Sequence, residues 1–151
     1  MGKVYEELLK FKKIGGTVGW RIKRHADVVE RHLNDGEQVL YAFYAQRNDS
    51  LTDIISTCAV ALTNKRILIG QKRVLFGYHL ISITPDMFND LTVHTGLIWG
   101  KVYIDTIKEV VKLSNISKKA VTEIETKITE YMMREKKKYP GREVVNKWKK
   151  S

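Results

Sequence analysis

At 151 residues the chain has the size of one domain, in which roughly two-thirds of the unfolded surface is buried on folding. Its 43% hydrophobic content without a low-complexity tract excludes a disordered polymer, and the lack of any apolar run of about eighteen residues or of a signal-peptide core makes a cytoplasmic location the expectation. The net charge of +10 lies in the flanks: residues 1–33 hold eight Lys or Arg against four acids, residues 134–151 eight against two, and the stretch between them eleven of each sign. An electrostatic partner is therefore to be sought at the ends of the chain.

The first segment, Val4 to Phe11, places Tyr5, Leu8 and Leu9 at helical spacing and meets Gly15-Gly16, where a helix interior is costly. The spacing predicts a short helix, then a hinge. A second helix is predicted over Val18 to Leu33, with Val18, Ile22, Ala26, Val29 and Leu33 on one stripe and Arg21, Lys23, Arg24 and Arg31 around the rest. Asn34-Asp35-Gly36 ends it. The link to the next element is short, so this helix is expected to pack on its own domain, whereas the Tyr5, Leu8 and Leu9 segment is expected to seek a partner.

From Glu37 the period changes to two. A first strand spans Val39 to Gln46 and runs out in Arg47-Asn48-Asp49-Ser50. Ile55 to Thr63 and Ile67 to Ile69 read as a pair of strands about the turn Asn64-Lys65, and a fourth strand is predicted from Val74 to Thr84, stopped by Pro85. Further strands are expected at Leu91 to Thr95, Ile98 to Asp105 and Ile107 to Leu113, with Val102 and Ile104 facing opposite to Lys101, Tyr103 and Asp105. About seven short strands without intervening helices argue for an antiparallel sheet curled into a barrel or sandwich. After Ser117, a plausible N-cap, Val121, Ile124, Ile128 and Tyr131 return to helical spacing. A helix from Lys118 to about Lys138 would be roughly 30 Å long, enough to close one barrel end with its last basic turns projecting, and Pro140-Gly141 would stop it.

Four pieces of this chain carry a resemblance: Leu33-Asn34-Asp35-Gly36-Glu37-Gln38-Val39-Leu40, the hairpin Ala61 to Ile67, Ile81-Ser82-Ile83, and the Gly-flanked strand Gly96 to Asp105. Together they resemble the bacterial PH-like domains, the YokE-like group in particular, over about residues 33–132. The resemblance implies a mainly β (α+β) fold: a PH-like barrel of about seven antiparallel strands capped by a C-terminal helix, with an N-terminal helical extension. The domain division is then 1–33 for the extension, 34–139 for the PH-like domain and 140–151 for a basic tail. In eukaryotic relatives of the fold, basic residues beside the first loop grip inositol phosphates. Here that stretch, Arg47 to Asp53, sets two Asp against one Arg, so phosphoinositide binding is not expected.

Little in the sequence points to chemistry. His25, His32, His79 and His94 fall in no metal-ligand spacing, the lone Cys58 sits in an apolar run as a core thiol, and no phosphate loop, nucleophile elbow or carboxylate pair is found. No cofactor, metal or catalytic residue is assigned, and the chain is read as a non-enzyme. Thr63 and Asn64 suit a tight turn, whereas of Lys65 and Arg66, on opposite faces of a strand, at most one would serve an anion. The candidate contacts to an anionic surface are Arg134, Lys136, Lys137, Lys138, Arg142, Lys147, Trp148, Lys149 and Lys150, cations interleaved with aromatics, against the plainer reading of a solvated tail. The expected function is an interaction module for a protein partner or for self-association as a homo-oligomer. Attachment to an anionic membrane through the basic flanks is the alternative, and nucleic-acid binding comes third because the centre offers no second basic face.

Overall fold

The structure, a computed structural model, describes residues 2–15, 21–47 and 56–136. Helices α1 (Lys3–Gly15) and α2 (Ile22–Arg31) open the chain. Seven strands follow: β1 (Val39–Gln46), β2 (Thr57–Thr63), β3 (Ile67–Lys72), β4 (Tyr78–Ile83), β5 (Phe88–Thr95), β6 (Trp99–Thr106) and β7 (Val110–Ser117), with a 3₁₀ turn at Pro85–Met87 between β4 and β5. Helix α3 (Lys118–Lys136) closes the described part. Every neighbouring pair is antiparallel and the order is β4-β3-β2-β1-β7-β6-β5. The expected mainly β half-barrel with a C-terminal helix is the fold found.

Several strand boundaries differ from the sequence reading: β3 runs on to Lys72, β5 begins at Phe88 and β7 ends at Ser117, and two further differences have local reasons. Residues 73–77 form the β3–β4 hairpin loop rather than the start of β4: Gly77 takes φ +67° and its carbonyl accepts the Arg73 N–H at 3.2 Å, closing the loop before Tyr78. At the next turn, the Thr106 Oγ1 accepts the N–H groups of Lys108 and Glu109, so Ile107 to Glu109 is a turn and β7 begins at Val110.

The first four strands carry helices on their outer side. Directly opposed residues share a face, so the register Ala59↔Gly70 puts both under α2, where a Cβ on Gly70 would lie 2.6 Å from a Val29 methyl. Ala26, Val28 and Val29 are buried there, and Ile22 and Leu33 pack at the border of the same core, as expected; Val18 lies outside the described residues. The expectation for the first helix is overturned. Val4, Leu8 and Phe11 form its buried stripe, and they belong to the barrel's own core. The reason is a gap in the sheet: β1 meets β7 at the single register Gln46↔Ser114, and α1 packs along β1, with its last turn against β7. Phe11 lies 5.1 Å from the Tyr44 ring and 5.9 Å from that of Phe43, and Ser117 Oγ donates to the Ile14 carbonyl. Gly15 is the last residue of α1, and a Cβ there would collide with the Phe11 ring; Gly16 lies outside the described residues.

Helix α3 buries Val121, Ile124, Ile128 and Tyr131 against the barrel while Lys118, Lys119 and Lys127 stay exposed, and Ser117 Oγ accepts the Ala120 N–H at 3.3 Å as the N-cap. The expected projection of its last turns is not seen through residue 135: Met132 and Glu135 are buried as well. The predicted stop at Pro140-Gly141 lies outside the described residues. Among the described residues no helix is long and apolar enough to cross a membrane.

Candidate functional site

The barrel has a locked end and an open one. At the locked end the turn between β2 and β3 is built on Thr63, whose Oγ1 accepts the N–H groups of Lys65 and Arg66 at 3.1 Å each and donates to Glu37 Oε2 at 2.6 Å. Asn64 Oδ1 accepts the Gln38 N–H at 2.8 Å. Arg66 then grips the Glu37 carboxylate with two N–H groups, at 3.1 and 3.2 Å, and donates to Ser82 Oγ and to the His32 carbonyl. Burial works to raise the Glu37 pKa, but the bonds from Arg66, Asn34 and Thr63 outweigh it and hold the carboxyl below the usual range. Three of the sequence pieces that carry the resemblance, around Glu37, Thr63 to Arg66, and Ser82, are thus parts of one buried clasp. Arg66 is committed to it and is not an anion site; Thr63 and Asn64 have the structural role expected of them.

At the opposite end of β3 lies a cavity of about 670 Å³ lined by Arg47, Gln71, Arg73, Val74, Leu75, Phe76 and His79. The registers Ala45↔Cys58 and Gln71↔His79 show how it forms: interior-facing positions that hold Ile69 and Ile81 deeper in the barrel become Gln71 and His79 at the mouth. Burial lowers the His79 pKa, and the charges of Arg47 and Arg73 lower it further against the opposite pull of Glu109. The imidazole is therefore neutral at neutral pH and flanked by two guanidinium groups. The hairpin wall of the cavity is apolar and uncovered: Leu75 and Phe76 are each 82% exposed. Ile107 and Val110 are exposed on the β6–β7 turn, where the Ile107 N–H donates to the Met87 carbonyl at 2.9 Å. Sequence reasoning missed this group because its members sit singly at the ends of β1, β3 and β4, and Val74 to Phe76 pass for a strand.

Of the expected surface contacts, Arg134 and Lys136 are among the described residues. Arg134 is exposed on α3, 3.3 Å from Glu135, with its guanidinium 5.8 Å from the centre of the Tyr131 ring. Lys136 is the last described helical residue, and Lys137, Lys138, Arg142, Lys147, Trp148, Lys149 and Lys150 lie outside the described residues, as do Asn48 to Ile55 of the first loop. Arg134 and Tyr131 line a cleft with Leu62 and Asn64, at the locked end, so the last described turn of α3 lies about 20 Å, the length of β3, from the open mouth. Burial pushes the Cys58 thiol up to about 12, which leaves it protonated and unreactive. His25 accepts the Lys72 N–H at 2.9 Å, His32 lies 3.2 Å from the Tyr78 hydroxyl, and the His94 ring meets that of Tyr103 at a tilt of 60°. Among the described residues no three His, Cys, Asp or Glu side chains gather as a metal ion requires.

The family model described as bacterial PH domain matches residues 33–130. The chain belongs to this family. Two solved bacterial PH domains share its fold. The pleckstrin homology domain from Shewanella amazonensis SB2B has 15% identity and a TM-score of 0.53, covering 80% of this chain and 94% of its own. A DUF1696 family protein with a pleckstrin-homology domain from Shewanella loihica PV-4 has 14% identity and a TM-score of 0.51, covering 73% and 95%. No curated protein sequence matches. The matched segment of this PH domain begins at residue 33 and so leaves out α1 and α2, although both contribute to its core.

Proposed function

We propose that this bacterial PH domain is a non-catalytic, cytoplasmic binding module that docks its open mouth on an anionic membrane surface. The observation that supports the reading is the hairpin tip, where Leu75 and Phe76, each 82% exposed, stand beside the Arg47 and Arg73 side chains that line the same cavity. An isolated exposed apolar residue is ordinary, but consecutive large ones at a tip with cations behind them fit an interface that is apolar at its depth and anionic at its surface. Burial of Leu and Phe contributes about 1.5–3 kcal/mol each when complete. Each basic residue near an anionic leaflet adds about 1 kcal/mol, and the hairpin loop contributes Arg73 with Lys72 just before it. This moves the membrane contact from the basic flanks to the mouth.

Sedimentation with phosphatidylcholine vesicles, with and without phosphatidylserine, tests it. The protein is expected to pellet with the anionic vesicles only, and both Leu75→Ser/Phe76→Ser and Arg47→Glu/Arg73→Glu are expected to weaken binding by roughly tenfold or more at an unchanged denaturation midpoint. Equal binding by these variants, or equal binding to neutral vesicles, overturns the reading.

The alternative of a protein partner or self-association loses the α1 face, which is covered, and keeps the two outer edges of the sheet, β4 and β5.

A further inference from the structure

We propose that two copies of this chain pair through the face formed by the outer edge of β5 and the flank of α3, each setting its β5–β6 tip against the other's cleft beside β5. Strand β5 is the last in the sheet, so no described strand pairs with its outer side, and such an edge is a template for another strand. The Lys118 N–H donates to the Ile98 carbonyl at 2.9 Å, so α3 starts at the β5–β6 tip and runs back along β5. The face therefore has two unlike ends. At the tip Leu97 is 94% exposed and Ile98 65%, with the exposed Lys118 and Lys119 beside them. At the other end lies a cleft of about 400 Å³ lined by Leu91, Glu125, Thr126, Thr129 and Glu130. Both glutamates are exposed, and neither they nor the two lysines have an ion-pair partner among the described residues.

The charge of the face selects the occupant. Apolar and basic at one end, apolar and acidic at the other, it is complementary to itself turned end for end. A two-fold axis supplies that turn, because in an isologous contact whatever the tip of one copy meets in the other is met again in reverse. The axis stands perpendicular to the sheet, as between paired antiparallel strands, and passes close to Thr122, midway along α3 between tip and cleft. Lys118, Thr122, Glu125 and Thr129 recur at spacings of four, three and four and so share one stripe of α3. Lys118 lies four residues before Thr122 and therefore meets the other copy four residues after it, at Thr126, between Glu125 and Glu130. The apolar tip is level with Lys118, so it arrives where Leu91 lines the cleft. Thr92 to Thr95, which lies between these two levels, then runs antiparallel to the same stretch of the other copy. None of these residues lines the open mouth, so this contact and the membrane reading stand or fall separately.

Sedimentation velocity on the full chain tests this. The native protein is expected to pass from monomer to dimer over roughly 1–100 µM, and less readily at high salt. Lys118→Glu/Lys119→Glu leaves the face acidic throughout, and Glu125→Lys/Glu130→Lys leaves it basic throughout, so each variant alone is expected to dimerise roughly tenfold or more weakly. Mixed in equal amounts the two should form a heterodimer as readily as the native chain pairs, since every contact then joins opposite charges. All four residues are exposed, so the denaturation midpoints should stay unchanged. Leu97→Ser/Ile98→Ser should weaken the dimer as the single charge variants do. A native chain that stays monomeric over this range overturns the proposal. A dimer as stable in either charge variant as in the native chain also overturns it, as does a mixture that stays monomeric.

Discussion

Strands β2 and β6 are both inner strands of the same antiparallel sheet, seven and eight residues long, yet they are built to different rules. In β6 buried and partly exposed residues alternate from end to end, with Gly100, Val102, Ile104 and Thr106 inside. All seven residues of β2 are buried. The difference is what lies on the outer face: solvent over β5 and β6, the helices α1 and α2 over β1–β3. A strand covered twice has no solvent side and reads as a continuous apolar run, which is why Cys58 to Leu62 shows no period. The two-sided half also explains the small residues there. Ala42, Ala59, Ala61 and Gly70 share one face by register and let α2 come close.

The sharpest way to break the two-layered half is at α1. Phe11→Ala is expected to destabilise the protein by about 3–5 kcal/mol, since the ring is almost fully buried among Tyr41, Phe43 and Tyr44. A denaturation midpoint near that of the native protein would show that α1 is an appendage after all. Nearly as large a loss, again about 3–5 kcal/mol, is expected for Arg66→Ala, which leaves the fully buried Glu37 carboxylate without its cation. The carboxyl is held below its ordinary 4.5 in the folded protein, so its contribution is complete above that pH and lost as pH falls through the lower folded value. Native stability should therefore decline in acid, and Glu37→Gln should flatten that decline in urea titrations between pH 6 and 3 (approximate limits set by).

Gly70→Ala separates the halves more finely, because its Cβ would meet Val29 at 2.6 Å and Val28 at 3.1 Å. A cost of about 1–3 kcal/mol is expected as α2 shifts outward, with faster hydrogen exchange in α2 and β3 and none in β6. The smallest effect belongs to the one-sided half. Lys112 is exposed above Tyr103 on the outer face, at 5.7 Å from the ring centre, and Lys112→Ala should move stability by no more than about 0.5 kcal/mol. A larger loss would mean that this face is covered too.

For the site itself, the neutral His79 between Arg47 and Arg73 gives a pH signature. An anion in the mouth favours the protonated ring, so binding to anionic vesicles should strengthen as pH falls below the ordinary 6.5, and His79→Gln should remove that pH dependence. Binding that does not vary with pH in the native protein would place the anion elsewhere.

Local periodicity determined much of this protein. The alternation in β6, the helical stripe Val121, Ile124 and Ile128, the Ser117 cap and the Thr63-Asn64 turn depend on residues close together in the chain, and each formed where the pattern put it. What only the tertiary structure decided rests on contacts between residues far apart. Phe11 is buried because β1 and β7 meet at one register and leave a gap, and no spacing within α1 carries that fact. Arg66 pairs with Glu37 twenty-nine positions away. The open mouth draws Arg47, Gln71, Arg73 and His79 from the ends of three strands, where register brings together residues that mean nothing singly. A strand's period is set by its own backbone, but which strand ends share a rim is set by how the whole sheet curls.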